Sequence, residues 1–184
     1  FKIFLKIIKN LKNSSLKFHI LNSAGIFNFN DFSLSAVRPG LSIYGISPIC
    51  INNNLKPIME LKAPIVHLKR VLSGESIGYD CKYIAENDIN IAIIQCGYAD
   101  GMSKDFENNG FVFFRKNRYS IIGKISMDLF AIDCKDYIFQ ISDEVTIWGG
   151  DSADSKLESI SEKYSSIPYV YLTNLSKRIE RVYV

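Results

Sequence analysis

Apolar residues recur along the chain in two rhythms, and the change from one to the other divides it. Over residues 1–12, Phe1, Phe4, Leu5, Ile8 and Leu11 fall at helical spacing with lysines between them. This predicts an amphipathic helix with one face on a core. Asn13, Ser14 and Ser15 end it, and Leu16 to Leu21 read as a short buried strand leading into Asn22-Ser23-Ala24-Gly25. A second short helix is expected from Asp31 to Ala36, with Pro39 stopping any continuation. Leu41 to Ile46 then form a strand or turn. Helix, strand, loop, helix, strand is the order of an α/β unit with parallel strands.

After Pro48 the rhythm shortens. IVHLKRVL, INIAIIQC, FVFF, YSIIG, LFAIDC and EVTIW are runs of β-branched and aromatic residues separated by Gly, Asn and Asp, the pattern of an antiparallel sheet or barrel. One late helix is expected at 156–164: Ser155 and Glu158 have capping-box spacing, and Leu157, Ile160 and Tyr164 supply its apolar face. The boundary falls in the polar stretch INNNLKP, dividing residues 1–54 from 55–184. One helix and two strands cannot close the sheet on which their hydrogen bonds depend, so the first piece reads as the end of a larger α/β domain. The second reads as a complete β domain. Residue 1 is Phe rather than Met and already lies inside an amphipathic run, so further sequence upstream is expected.

Composition narrows the function. The 184 residues are 47% apolar and 12% aromatic, enough to bury a core, which excludes a disordered chain. Basic and acidic side chains number 22 and 19 and are evenly spread, unlike a nucleic-acid binder. No run approaches the ~18 apolar residues of a membrane span, and the lysine-broken opening is not a signal peptide. Cys50, Cys81, Cys96 and Cys134 form no CxxC pair, so neither a disulfide scaffold nor a metal site is expected. Reduced thiols in a soluble cytoplasmic protein fit this usage.

Two turns carry candidate chemistry in the first piece. Asn22-Ser23-Ala24-Gly25 and Arg38-Pro39-Gly40-Leu41 follow strands that would lie side by side, where backbone N–H groups and a hydroxyl can converge on one phosphate. His19 and Arg38 flank them; alone, each would be a core histidine and a surface cation. In the second piece, Gly78-Tyr79-Asp80 and Gly97-Tyr98-Ala99-Asp100-Gly101 expose tyrosines at glycine-bearing turns. A tyrosine used as a base must overcome a reference pKa of ~10, which calls for a nearby cation. Met127-Asp128 carries no chemistry readable from composition.

HILNSAG, VRPGLSIYG, LKAPIVHLKRVLSGESIGYDCKY, GYADG, IIGKISMD, DEVTIWGG and SKRIERVY occur in that order. Together they resemble the C-terminal portion of the bacterial alanine racemases, from about His19 to Val184. The resemblance implies the end of a (β/α)8 TIM-type barrel followed by a C-terminal antiparallel β domain. It implies pyridoxal 5'-phosphate as cofactor, alanine as substrate, and a homodimer in which one subunit's β domain completes the other's active site. D-Alanine for peptidoglycan would be the product; no nucleic acid or membrane partner is implied. By the same resemblance, Ser23, Gly40, Leu41 and Tyr169 hold the cofactor phosphate, Arg38 faces the pyridine nitrogen, and His19 braces it. Tyr79 is the catalytic tyrosine, Met127 offers its N–H to the substrate carboxylate, and Tyr98 stands in the pocket wall.

The implied reaction is a two-base racemisation, with Tyr79 on one face of the α-carbon and a lysine on the other. That lysine's motif lies upstream of Phe1, so the chain alone is expected to be inactive. Three positions depart from the family pattern. Asp80 replaces a glycine and should raise the pKa of Tyr79, Lys104 replaces an arginine, and Glu180 replaces a proline. A non-catalytic stand-alone β-domain remnant, or a racemase of serine or another amino acid, is the alternative reading.

Overall fold

The computed structural model describes residues 1–11, 15–32, 34–49, 55–107, 109–150 and 152–184. They divide into two compact units, Phe1–Lys56 and Pro57–Val184. The expected boundary at 54/55 adjoins residues 50–54, and these, like Asn13 and Ser14, lie outside the described residues.

The first unit contains α1 (Lys2–Asn10), β1 (His19–Asn22), α2 (Ser23–Asn28) and β2 (Ala36–Arg38). β1 and β2 are parallel, with His19 opposite Ala36 and Asn22 opposite Arg38, as the α/β order requires. The details differ from expectation in three ways. α1 buries none of its residues within this unit; Phe4, Leu5 and Ile8 are half-buried. The strand begins at His19, not Leu16. The second helix begins at Ser23 rather than Asp31, because Asn22 accepts the Gly25 N–H at 2.9 Å and caps it directly after the strand. Residues Asn30–Phe32 form only a 3-10 turn, and Ala36 opens β2. Leu41–Tyr44 is a second 3-10 turn, closed by Gly45 at φ 72°.

The second unit is a closed antiparallel barrel of β3 (Glu60–Val71), β6 (Ile89–Ile94), β7 (Phe111–Phe114), β8 (Asn117–Ile122), β9 (Phe130–Asp133) and β10 (Glu144–Gly149). Around the barrel the order is β10, β3, β6, β9, β8, β7, and a two-stranded ribbon, β4 (Ser76–Ile77) with β5 (Tyr83–Ile84), follows β3. All six apolar runs expected as strands are strands. Ile65, Ala92, Ile94, Val112, Ile132, Val145 and Ile147 are fully buried, the inward positions of a closed sheet. Closure removes the edges that an open sheet this apolar would expose.

Two helices complete the unit, α3 (Leu157–Lys163) and α4 (Pro168–Thr173). α3 buries Leu157 and Ile160 as expected, but no capping box forms. Ser155 lies buried before the helix and donates instead to the carbonyls of Gly149 and Ser152, at 2.5 and 3.0 Å. Residues 168–173 (PYVYLT) have a strand-like composition, yet Pro168 at the first helical position starts α4. Among the described residues no helix is long and apolar enough to cross a membrane.

Candidate functional site

In the first unit the parallel pairing of β1 and β2 brings the two Gly-containing turns together. Ser23 is 2% exposed, and its hydroxyl oxygen accepts the Gly40 N–H at 2.8 Å and the Ser42 N–H at 3.3 Å. The Ser42 hydroxyl lies 3.1 Å from the same oxygen. Two backbone N–H groups and a hydroxyl thus converge on the Ser23 oxygen at the ends of the strands, donors that a phosphate placed there could take over. Ser42 was not among the residues singled out from the sequence. Its only signal was its place two residues after Gly40.

Arg38, at the end of β2, donates from Nη1 to His19 Nδ1 at 2.6 Å and to the His19 carbonyl at 3.3 Å. A guanidinium has no acceptor, so Nδ1 must present a lone pair and the ring proton sits on Nε2. The register puts Arg38 opposite Asn22 rather than His19, so its long side chain reaches back along β1 to make the contact.

In the second unit Tyr79, Tyr98 and Met127 gather around the connection from β8 to β9, residues 123–129. Tyr79 lies in a turn whose backbone leaves the ordinary regions, with Gly78 at φ 76° and Asp80 at φ 59°. The Tyr79 side chain is 68% exposed. The glycine at position 80 in the family pattern would suit that left-handed conformation, and aspartate is among the few other residues that tolerate it. Asp80, expected to bring a negative charge beside Tyr79, carries a cationic partner. Its carboxylate forms an ion pair with the Lys124 ammonium, and that bond holds its carboxyl below the usual carboxylate range. The field beside Tyr79 is that of a matched pair.

The next residues of the connection engage other segments. The Ile125 N–H donates to Glu107 at 3.0 Å. The Tyr98 N–H donates to the Ser126 carbonyl at 3.1 Å, and the Ala99 N–H to the Met127 carbonyl at 3.0 Å. Tyr98 and Met127 are therefore neighbours, both exposed. Lys104 sits 5.1 Å above the Tyr98 ring, a cation–π contact. Asp100 closes the Tyr98 turn by accepting the Gly97 N–H at 2.8 Å. Beneath it, burial and the neighbouring Asp100 push the Cys96 thiol up to about 12, so it stays protonated and inert. Tyr169 stands on α4, exposed.

Residues 58–183 match the family model described as "Alanine racemase, C-terminal domain", and residues 1–48 match "Alanine racemase, N-terminal domain". The chain belongs to the alanine racemase family. The parallel pair β1–β2 with its helices is accordingly the end of the family's (β/α)8 barrel, and the closed antiparallel barrel is its C-terminal β domain. The alanine racemase of Rickettsia bellii is 39% identical over 189 residues, covering 100% of this chain and 44% of that protein. That of Rickettsia akari is 37% identical, covering 100% and 49%. Among solved structures, the alanine racemase from Bartonella henselae with covalently bound pyridoxal phosphate aligns at a TM-score of 0.88 and 31% identity. It covers 100% of this chain and 50% of its own. The Clostridium difficile enzyme in complex with cycloserine aligns at 0.89 and 30%, covering 99% and 50%. The chain spans about half the length of the family relatives it matches.

Proposed function

We propose that these residues are the C-terminal half of an alanine racemase that interconverts L- and D-alanine, supplying D-alanine for peptidoglycan in the cytoplasm. Residues 1–54 belong to the barrel and 55–184 to the β domain. The observation that carries this reading is the donor cluster around buried Ser23, beside the Arg38–His19 contact, in a chain of this family. Those donors would fit the phosphate of pyridoxal 5'-phosphate once the Gly40 N–H turns from the Ser23 oxygen to it: the Ser23 hydroxyl and the Gly40 and Leu41 N–H groups would hold it, with Tyr169. Arg38 faces the pyridine nitrogen and His19 fixes the guanidinium. When bound, the cofactor supplies an electron sink for the substrate's α-carbanion.

The chain's own residues do the rest. The Arg38 guanidinium is too weak an acid to give up its proton, so it would hydrogen-bond to the ring nitrogen without protonating it, and the weaker sink that results would disfavour protonation at the wrong carbon. The Tyr79 hydroxyl moves the α-proton on one face. Met127 N–H receives the substrate carboxylate, with Tyr98 beside it. The base for the other face is a lysine outside this chain, and the β domain of one subunit completes the site of its partner in a homodimer. These 184 residues alone are inactive.

The test is the full-length protein carrying these residues. Purified with the cofactor, it racemises alanine, while the 184-residue chain does not. Tyr79→Phe keeps the ring's bulk and lowers racemisation by ~10²–10⁴-fold, the usual contribution of an acid–base group. In deuterated solvent, the loss of α-proton exchange falls mainly on one enantiomer. A Tyr79→Phe enzyme near the parent rate, or D-alanine formation by the 184-residue chain, overturns these assignments. A full-length protein without activity on any amino acid leaves a non-catalytic remnant; preference for serine replaces the substrate.

A further inference from the structure

Three segments outside regular strands meet beside Met127: the turn 97–101, the connection 126–129, and the chain after α4, residues 174–178. Their backbone bonds to one another are few. Tyr98 and Ala99 donate to the carbonyls of Ser126 and Met127, and the Ser176 N–H donates to the Asp100 carbonyl at 3.2 Å. The Met127 N–H has no partner among the described residues. One side chain spans all three segments. Arg178 Nε donates to Asp100 Oδ1 at 2.8 Å, and its Nη2 donates to Asp128. Asp100 uses its other oxygen to hold Gly97 N–H.

We propose that Arg178 is a positioning residue that joins Asp100 and Asp128 so that the Tyr98 turn and the Met127 peptide form one fixed unit, with the Met127 N–H set for a carboxylate. The proposal rests on the reading of Met127 given above. Without the cation, two carboxylates from facing loops repel each other and force the loops apart, taking Tyr98 N–H from Ser126 and Ala99 N–H from Met127. A lysine cannot replace the guanidinium, because a single ammonium lacks the planar fork whose Nε and Nη2 serve two separate acceptors. Solvent screens the Asp128 side of the clasp, where the arginine side chain is 47% exposed and that of Asp128 43%, while Asp100 is 14% exposed and anchors the other end, so Arg178 ties loops together rather than supporting the barrel core. What it supplies is local order.

That distinction makes the proposal testable on the 184-residue chain by residue-resolved amide exchange. In Arg178→Met, exchange at Tyr98, Ala99 and Ser176 should accelerate about tenfold or more, while amides of the β3–β6 ladder change less than about twofold. Asp128→Asn should reproduce the effect at Ala99, and the double variant should be no worse than the worse single, since both remove one clasp. Arg178→Lys should leave most of the loss in place. In the full-length enzyme, Arg178→Met should raise KM for alanine about 5–10-fold with kcat within about twofold, the sign of lost uniform binding. Unchanged exchange at Tyr98 and Ala99, equal acceleration in the β3–β6 ladder, additive single effects, or full rescue by lysine each overturns the proposal. So does a fall in kcat with KM unchanged. A full-length protein without racemase activity overturns the functional reading instead, and exchange alone then decides whether the clasp exists.

Discussion

Gly97 is the position where the smallest change should do the most damage. Its backbone is extended, at φ −153° and ψ −167°, a conformation any residue adopts. Replacing glycine by alanine there would ordinarily stabilise by ~0.4–1 kcal/mol through the unfolded chain. Space decides otherwise. A Cβ at Gly97 would lie 2.3 Å from the Met127 carbonyl oxygen and 2.4 Å from that of Ser126, both backbone atoms that cannot rotate aside. Relief requires the 126–127 segment to retreat by about 1 Å, at an overpacking cost of ~1–3 kcal/mol. The retreat also stretches the Tyr98–Ser126 and Ala99–Met127 hydrogen bonds, each worth ~1 kcal/mol net. Set against the unfolded-chain gain, Gly97→Ala should therefore destabilise by ~2–4.5 kcal/mol, a large share of the ~5–15 kcal/mol typical of a domain. Gly74→Ala is the control: it has φ +87° and nothing within 4 Å, so only left-handed strain of ~1–2 kcal/mol applies. Urea unfolding followed by the fluorescence of buried Trp148 reads both. If Gly97→Ala is no worse than Gly74→Ala, the steric argument fails.

Burial pushes the thiols of Cys96 and Cys134 up to about 12 and about 11 from 9.0. Both are raised in the folded state, so their contribution is full below pH 9 and is lost as pH climbs toward the folded values. Each unit of pH can remove up to ~1.4 kcal/mol per thiol, so under reducing conditions the urea stability should fall by about 2–4 kcal/mol from pH 9 to 11. A Cys96→Ala/Cys134→Ala variant with the same slope would refute this assignment. Asp80 behaves oppositely: Lys124 holds its carboxyl below the ordinary range, so the pair persists above that range and is lost as pH falls through the lowered value. Carboxyl NMR should find Asp80 titrating lower in the parent than in Lys124→Met; equal titration would mean the pair does not form in solution.

What could be read from the chain was whatever its local pattern encodes. The six barrel strands announce themselves because Val, Ile and Phe alternate between Gly, Asn and Asp breaks, and a closed sheet needs an apolar inner face on every strand. The parallel β1–β2 pair followed from element order alone. The misses lie where a competing local bond wins. Asn22 starts α2 eight residues early by capping it, and Ser155 spends its hydroxyl on Gly149 and Ser152 instead of on α3. The hairpin between β7 and β8 turns through Arg115 and Lys116, both at positive φ, where Asn or Gly would be looked for. Arg115 lies 5.2 Å over the Phe114 ring, a contact no turn rule anticipates. Ion pairs were the least visible. Arg178 reaches Asp100 across 78 positions and Asp128 across 50, and no spacing rule spans such distances.

The topology accounts for the site's location. β6 and β8 both run antiparallel to β9, which lies between them, so β6 and β8 point the same way and their C-terminal ends open at one end of the barrel. The Tyr98 turn leaves the end of β6, and residues 123–129 leave the end of β8, so they must be neighbours. The ribbon β4–β5 brings a third partner: a Cβ at Gly123 would meet the Ile77 carbonyl at 2.9 Å, and one at Gly78 would lie 3.5 Å from Lys124 N. Along the β8–β9 connection successive residues then bind different segments, Lys124 to Asp80, Ile125 to Glu107, Ser126 and Met127 to the Tyr98 turn, and Asp128 to Arg178. Tyr79, Tyr98 and Met127 come from stretches far apart in sequence, yet all are referenced to seven consecutive residues. A substitution in this connection should therefore disturb several candidate residues at once, whereas one in the β7–β8 hairpin, on neither β6 nor the β8–β9 connection, should disturb none.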